Sequence, residues 1–99
     1  MLPPAAAPET FINTINQIED ALDNVVDHGS DDELFTASYL QGHFAVIARQ
    51  LEMEPDATID RLDSEMRHSL NQAFANQELE GDDQGAVTRL WSRLLSQAS

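Results

Sequence analysis

Val26-Asp27-His28-Gly29-Ser30-Asp31-Asp32-Glu33-Leu34-Phe35, followed after three residues by Tyr39-Leu40-Gln41-Gly42-His43, decides how this chain folds. The stretch joins two helices through almost no loop. Gly29 is expected to close the first helix in the left-handed conformation that glycine adopts most easily. Ser30 is placed to cap the second, and Glu33 follows three residues later, the spacing of a capping box. Two histidines and several acids gather in the same stretch, so candidate chemistry is concentrated here.

Outward from this corner, the apolar pattern is helical throughout. Phe11, Ile15, Ile18, Leu22 and Val25 recur at spacings of four and three on one side of the first helix. Asn13, Asn16, Asp20, Asp23 and Asp27 fall on the opposite side, the wet face of an amphipathic helix. In the second helix Leu40, Phe44, Ile47 and Leu51 make the main stripe. Tyr39, His43 and Val46 flank it on one side, Ala37 and Ala48 on the other. So wide an apolar arc places this helix at the centre of the fold. Glu54-Pro55-Asp56 breaks the pattern, because the residue before proline disfavours helix, and Asp56 or Thr58 can cap the next one. The third helix carries Ile59, Leu62, Met66, Leu70, Ala73, Phe74 and Gln77 on one face, with Arg61–Glu65 and Asp63–Arg67 as i,i+4 pairs. Glu80-Gly81-Asp82-Asp83 turns into a fourth helix holding Val87, Leu90, Trp91, Leu94 and Leu95.

No segment alternates with a two-residue period, so the expected class is all-α. Four helices over about 9–28, 30–53, 56–77 and 82–97, joined by short connections, predict a small antiparallel up-down-up-down four-helix bundle. Residues 9–99 read as a single domain, and the Pro/Ala-rich residues 1–8 as a loose tail. Trp91 is the expected anchor of the last helix.

Composition narrows the function classes. Eighteen acids against five bases, all arginine, give a net charge of −13, and the first base is Arg49, after eight acids. Such a surface repels nucleic-acid phosphate and anionic membranes, so neither is an expected direct partner. The chain has no cysteine, which removes disulfide frameworks and thiolate metal sites and fits a reducing compartment. No run is long enough and apolar enough to cross a bilayer. A cytoplasmic location is the expectation.

Asp27 to Phe35, with Tyr39-Leu40 and Gly42-His43, resembles the signature stretch of the YfcL family of small bacterial proteins. A second match lies in Asp83-Gln84, Val87-Thr88, Trp91, Leu94 and Gln97-Ala98-Ser99. The resemblance covers the chain from about Ile18 onward, and the Pro/Ala-rich amino terminus departs from it. It implies a small, helical, cytoplasmic bacterial protein. It supplies no activity, so no catalytic residue carries over.

The candidate interaction or ligand site comprises Asp27, His28, Asp31, Asp32, Tyr39 and His43. Carboxylates with imidazole suit zinc, iron or manganese. The spacing speaks against a metal, because His43 lies about 16 Å along the helix from Asp32. The iron-carboxylate bundles need a Glu-x-x-His on each of two helices, and the expectation is that this chain carries none. Acids in the first turn of a helix and a histidine in the last turn are each favoured by the macrodipole, and capping accounts for the cluster. The required ligand spacing of an EF-hand is absent. Tyr39 and His43, four apart on the flank of the apolar stripe, are placed to hydrogen-bond at a helix interface, with Gly42 beside them leaving room for a close approach. His68 reads as a surface residue. The serines have no neighbouring His–acid constellation, and no phosphate loop or zinc signature appears.

The sequence reading is therefore a non-enzymatic protein-binding or adaptor module, without cofactor, whose acidic segment Glu19–Glu33 meets another protein with a basic surface. The alternative is a small-molecule or metal-binding module at the corner of the first two helices. Phe35, Val46 and Met53 are left over from the core and can pair two chains, so the expected state is a monomer or weak homodimer.

Overall fold

In a computed structural model, residues 6–98 are described. Residues 1–5, where most of the expected tail falls, and Ser99, the last residue of the second motif, lie outside the described residues. Among the described residues four helices make up the fold: α1 (Glu9–His28), α2 (Asp31–Glu52), α3 (Ile59–Ala75) and α4 (Gly81–Ala98). There is no strand among the described residues. The architecture is an all-α four-helix bundle.

The bundle is not a symmetric ring. α2 packs against all three other helices, α4 rests on α1 and α2, and α3 rests chiefly on α2. Its wide apolar arc explains this position: Ala37, Leu40, Phe44, Ile47, Ala48 and Leu51 are all buried. Phe11, Ile15, Ile18 and Leu22 enter the core from α1, Leu62, Met66 and Leu70 from α3, and Val87, Leu90, Trp91 and Leu94 from α4. Trp91 is fully buried and lies 6.1 Å from Phe44, ring centre to ring centre, in a tilted aromatic pair. Its indole N–H donates to Asp63 Oδ1 at 2.8 Å. The same oxygen accepts from Arg67 Nε at 2.8 Å, the i,i+4 pair of α3. Arg67 also reaches Ser92 Oγ at 3.2 Å. One acid on α3 thus fixes the largest side chain of α4.

Several local expectations change. Gly29 is not left-handed: its backbone is extended, φ −78° and ψ 168°. Glycine is needed there for space, because a Cβ would stand 2.6 Å from the Val25 carbonyl oxygen and 3.0 Å from Glu33 Cβ. α3 starts at Ile59 rather than near residue 56, and Thr58, not Asp56, caps it by accepting from the Arg61 N–H at 3.1 Å. Pro55 holds the preceding turn, and Ala57 is buried within it. α3 also ends early, at Ala75, so Gln77 is off its apolar face and left-handed at φ 60°. Arg61 turns back to Glu54 at 2.6 Å instead of forward to Glu65. The end of the expected loose tail is docked, since the Ala6 and Ala7 N–H groups both donate to the Glu52 carbonyl, at 2.8 and 2.9 Å. They satisfy a carbonyl that the end of α2 would otherwise leave unpaired.

Candidate functional site

The corner between α1 and α2 is built from the backbone outward. The Gly29 N–H donates to the Val25 carbonyl at 2.7 Å and closes α1. Ser30 Oγ accepts from the Glu33 N–H at 3.3 Å, and the Ser30 N–H donates to Glu33 Oε1 at 3.1 Å, so the capping box is complete. The Ser30 backbone N–H foremost, and the Ser30 hydroxyl after it, hold the Glu33 carboxyl below its usual range, and the nearby Arg93 guanidinium adds to the effect. Asp31 and Asp32 occupy the first turn of α2, and His28 the last turn of α1, each at the helix end its charge favours. Asp27, His28, Asp31 and Asp32 are all exposed.

Tyr39 and His43 stand apart from that cluster, two to three turns further along α2. Their rings lie 4.9 Å apart at a 45° tilt. His43 Nδ1 shares a 2.8 Å hydrogen bond with Ser69 Oγ on α3. The Tyr39 hydroxyl donates to Glu78 Oε1 at 3.1 Å, beyond the end of α3. Burial pushes the Tyr39 phenol up to about 12, with the Glu78 carboxylate as the second cause. Both side chains therefore tie α2 to α3 and the segment that follows it.

The six candidate residues thus fall into two groups that do not converge. No three His, Asp or Glu side chains among the described residues come together in a way that could hold a metal ion. The chain has a single Glu-x-x-His, Glu65 to His68 on α3, which the sequence reading overlooked. Both of its side chains are exposed.

Two grooves border these groups. One, of about 370 Å³, lies between α2 and α3 and is lined by Tyr39, Gly42, His43, Val46, Ile47 and Ser69. The other, also about 370 Å³, adjoins the corner and is lined by Val25, Asp32, Glu33 and Thr36 on one side and Ala86, Arg89, Leu90 and Arg93 of α4 on the other. Arg89 and Arg93 were missed from the sequence, because nothing local links α4 to residues more than fifty positions earlier. Their i,i+4 spacing on one helix face was the available signal.

The comparisons with known proteins bear out the family resemblance read from the sequence. The family model described as YfcL protein matches residues 12–96. A relative named uncharacterized protein YfcL, from Escherichia coli strain K12, is 40% identical over 78 residues, covering 79% of this chain and 85% of that protein. No solved structure matches. With the match running through all four helices and including both the capped corner and Trp91, the chain belongs to the YfcL family.

Proposed function

We propose that this protein is a non-enzymatic protein-binding module that receives an amphipathic helix with basic flanks on the outer face of α2. The observation that carries this reading is the placement of exposed apolar surface. The large hydrophobic side chains left exposed among the described residues are Leu34, Phe35, Val46 and Met53, all on α2 or at its end, and Val46 is 60% exposed. At 100° per residue, Phe35, Gly42, Val46 and Met53 share about 40° of arc, roughly opposite the buried seam. Tyr39 borders them. A second apolar stripe on a helix whose first stripe already fills the core marks an interaction surface. Gly42 has nothing within 4 Å of where a Cβ would stand, so a partner helix meets bare backbone there, beside the groove formed with α3.

The charge of the partner follows from the rest of the surface. Eighteen acids stand against five arginines, and Arg49, Arg61 and Arg67 are already ion-paired with Glu19 and Glu52, with Glu54, and with Asp63. Asp31 and Asp32, exposed at the amino-terminal end of the stripe, favour a cationic flank. A second copy would bring another −13 charge, which opposes self-association. No helix among the described residues is long and apolar enough to cross a membrane.

The test is a titration of the full chain with a synthetic Leu/Lys amphipathic helix and its Leu/Glu counterpart, followed by amide chemical shifts. The Lys peptide is expected to perturb Phe35, Gly42 and Val46, to bind less tightly as salt rises, and to lose binding with Val46→Asp. Charge reversal by Asp31→Lys with Asp32→Lys is expected to weaken it. Equal binding of both peptides, binding of neither, or a dimer through this face in sedimentation would overturn the reading.

A further inference from the structure

The groove beside the α1–α2 corner has a feature the outer face of α2 lacks. The chain has only five cations. Three of them are engaged with its own acids, whereas Arg89 and Arg93 make no hydrogen bond or ion pair with any described residue. They stand one turn apart on α4 and line the same groove. Two like charges at i,i+4 destabilise a helix slightly, and in a chain this acidic the usual resolution is a carboxylate partner. No carboxylate that lines the groove comes within ion-pair distance of either arginine, although the Glu33 carboxylate feels the charge of Arg93 at longer range. Glu33 is held by the Ser30 N–H, and Asp32 lies on the α2 side within its first turn. Between these polar edges the floor is apolar or neutral: Val25 from α1, Thr36 from α2, whose hydroxyl is turned to its own helix at the Asp32 carbonyl, and Ala86 and Leu90 from α4. Gly85, one turn before Arg89, leaves room for its guanidinium, which lies 3.0 Å from where a Cβ would be.

We propose that this groove binds a small organic acid with an apolar body, its carboxylate held by Arg89 and Arg93 and its body lying on Val25, Ala86 and Leu90. A guanidinium pair presents donors in the fork geometry that a carboxylate accepts. The volume of about 370 Å³ falls at the small end of the range for small-molecule sites. Asp32 and Glu33 on the far edge repel a second negative charge, so a monoacid fits better than a diacid or a phosphate. The site uses none of the exposed α2 stripe and shares only Asp32 with the partner surface, and its test turns on Arg89 and Arg93 instead.

The probes are hexanoate, hexanol, hexylammonium and inorganic phosphate, titrated into the full chain and followed by the amide shifts of Ala86 and Leu90 and the side-chain Nε–H signals of Arg89 and Arg93. Hexanoate is expected to shift these saturably and to raise the melting temperature through linkage. Arg89→Gln with Arg93→Gln is expected to weaken it by about tenfold or more. Both positions are exposed, so the variant keeps its fold, and its unchanged melting temperature without ligand checks this. Phosphate binding as strongly as hexanoate would show that the apolar floor is unused. Hexylammonium or hexanol binding in place of hexanoate would show that the arginines do not select the ligand. No saturable shift with hexanoate up to about 20 mM would show that the pair is simply solvated. Each of these three results overturns the proposal.

Discussion

The joint between α1 and α2 and the joint between α3 and α4 solve the same problem in opposite ways. At the first, only Gly29 and Ser30 separate the helices, and local chemistry satisfies the exposed backbone groups there: the Gly29 N–H closes α1 and the Ser30–Glu33 box opens α2. At the second, five residues intervene. The Glu78 N–H bonds the Ala73 carbonyl at 3.2 Å, and the Gln77 N–H bonds that of Phe74 at 3.0 Å. This paired closure places Gln77 at φ 60°, a position glycine normally fills. The two helices at this joint make few backbone approaches to each other. Side chains hold them instead, through Asp63, Trp91, Arg67 and Ser92. A joint specified by its own residues leaves little freedom in sequence. One held by distant anchors tolerates a poor residue at the turn itself.

The largest effect should come from removing the anchor of the second joint. Trp91→Ala leaves a cavity at a fully buried site and should cost about 3–5 kcal/mol in chemical denaturation. Trp91→Phe keeps most of the ring and loses the N–H to Asp63, which retains Arg67 as a partner. It should cost about 1–2 kcal/mol more than burial alone predicts. If Trp91→Phe were neutral, the indole–Asp63 bond would not hold α4 to α3, and the comparison would fail on its second side. The next effect breaks the first joint. Gly29→Ala forces a Cβ against the Val25 carbonyl and should destabilise by about 1–3 kcal/mol, as overpacking does. A neutral or stabilising Gly29→Ala, the result expected where alanine fits without strain, would show that the corner yields readily.

These two joints also mark what sequence reading reaches. The capping box was legible because Ser30 and Glu33 are three residues apart and their bonds are local. Gly29 was legible as a glycine position but for the wrong cause. The left-handed reading follows from helix ends in general, whereas the true constraint is the approach of Val25 and Glu33 in this particular corner. The early end of α3 was not legible, because Gln77 continues the apolar spacing and nothing in its identity announces φ 60°. Arg61 illustrates the same limit: i,i+4 spacing favoured Glu65, but the turn at Pro55 brings Glu54 within 2.6 Å. Of the candidate site, Tyr39 and His43 were correctly placed at a helix interface because their position on the helix face is a matter of period. Their partners Ser69 and Glu78, and the arginines of the corner groove, depend on how α3 and α4 lie across α2. Helical period does not carry that information.

A smaller effect sharpens the contrast. Gln77→Gly removes the cost of a left-handed non-glycine residue, about 1–2 kcal/mol, while freeing the unfolded chain at that position. The net expectation is a gain of about 0.5–1 kcal/mol in denaturation midpoint experiments. No comparable gain is available at the first joint, where glycine is already in place. If Gln77→Gly destabilises, the side chain of Gln77 does more at this joint than its backbone conformation costs.

The smallest effect reads the second joint from outside. Tyr39 is the chain's one tyrosine, so phenolate absorbance near 295 nm reports its ionisation without interference from another phenol. Its bond to Glu78 crosses from α2 into the segment that follows α3. Folding raises its pKa from 10.0 to about 12, so the neutral phenol is the form the fold prefers. Stability tied to this group is therefore complete below pH 10 and is lost as pH rises through about 12, with no consequence near neutrality. The titration midpoint of the folded chain should lie near 12. Glu78→Gln should lower it only part of the way, because burial is the larger cause and the carboxylate the lesser. A midpoint near 10 in the unaltered chain, the value of a free phenol, would mean that Tyr39 does not dock on the α3–α4 segment. The second joint would then depend on the Trp91–Asp63 and Arg67–Ser92 contacts.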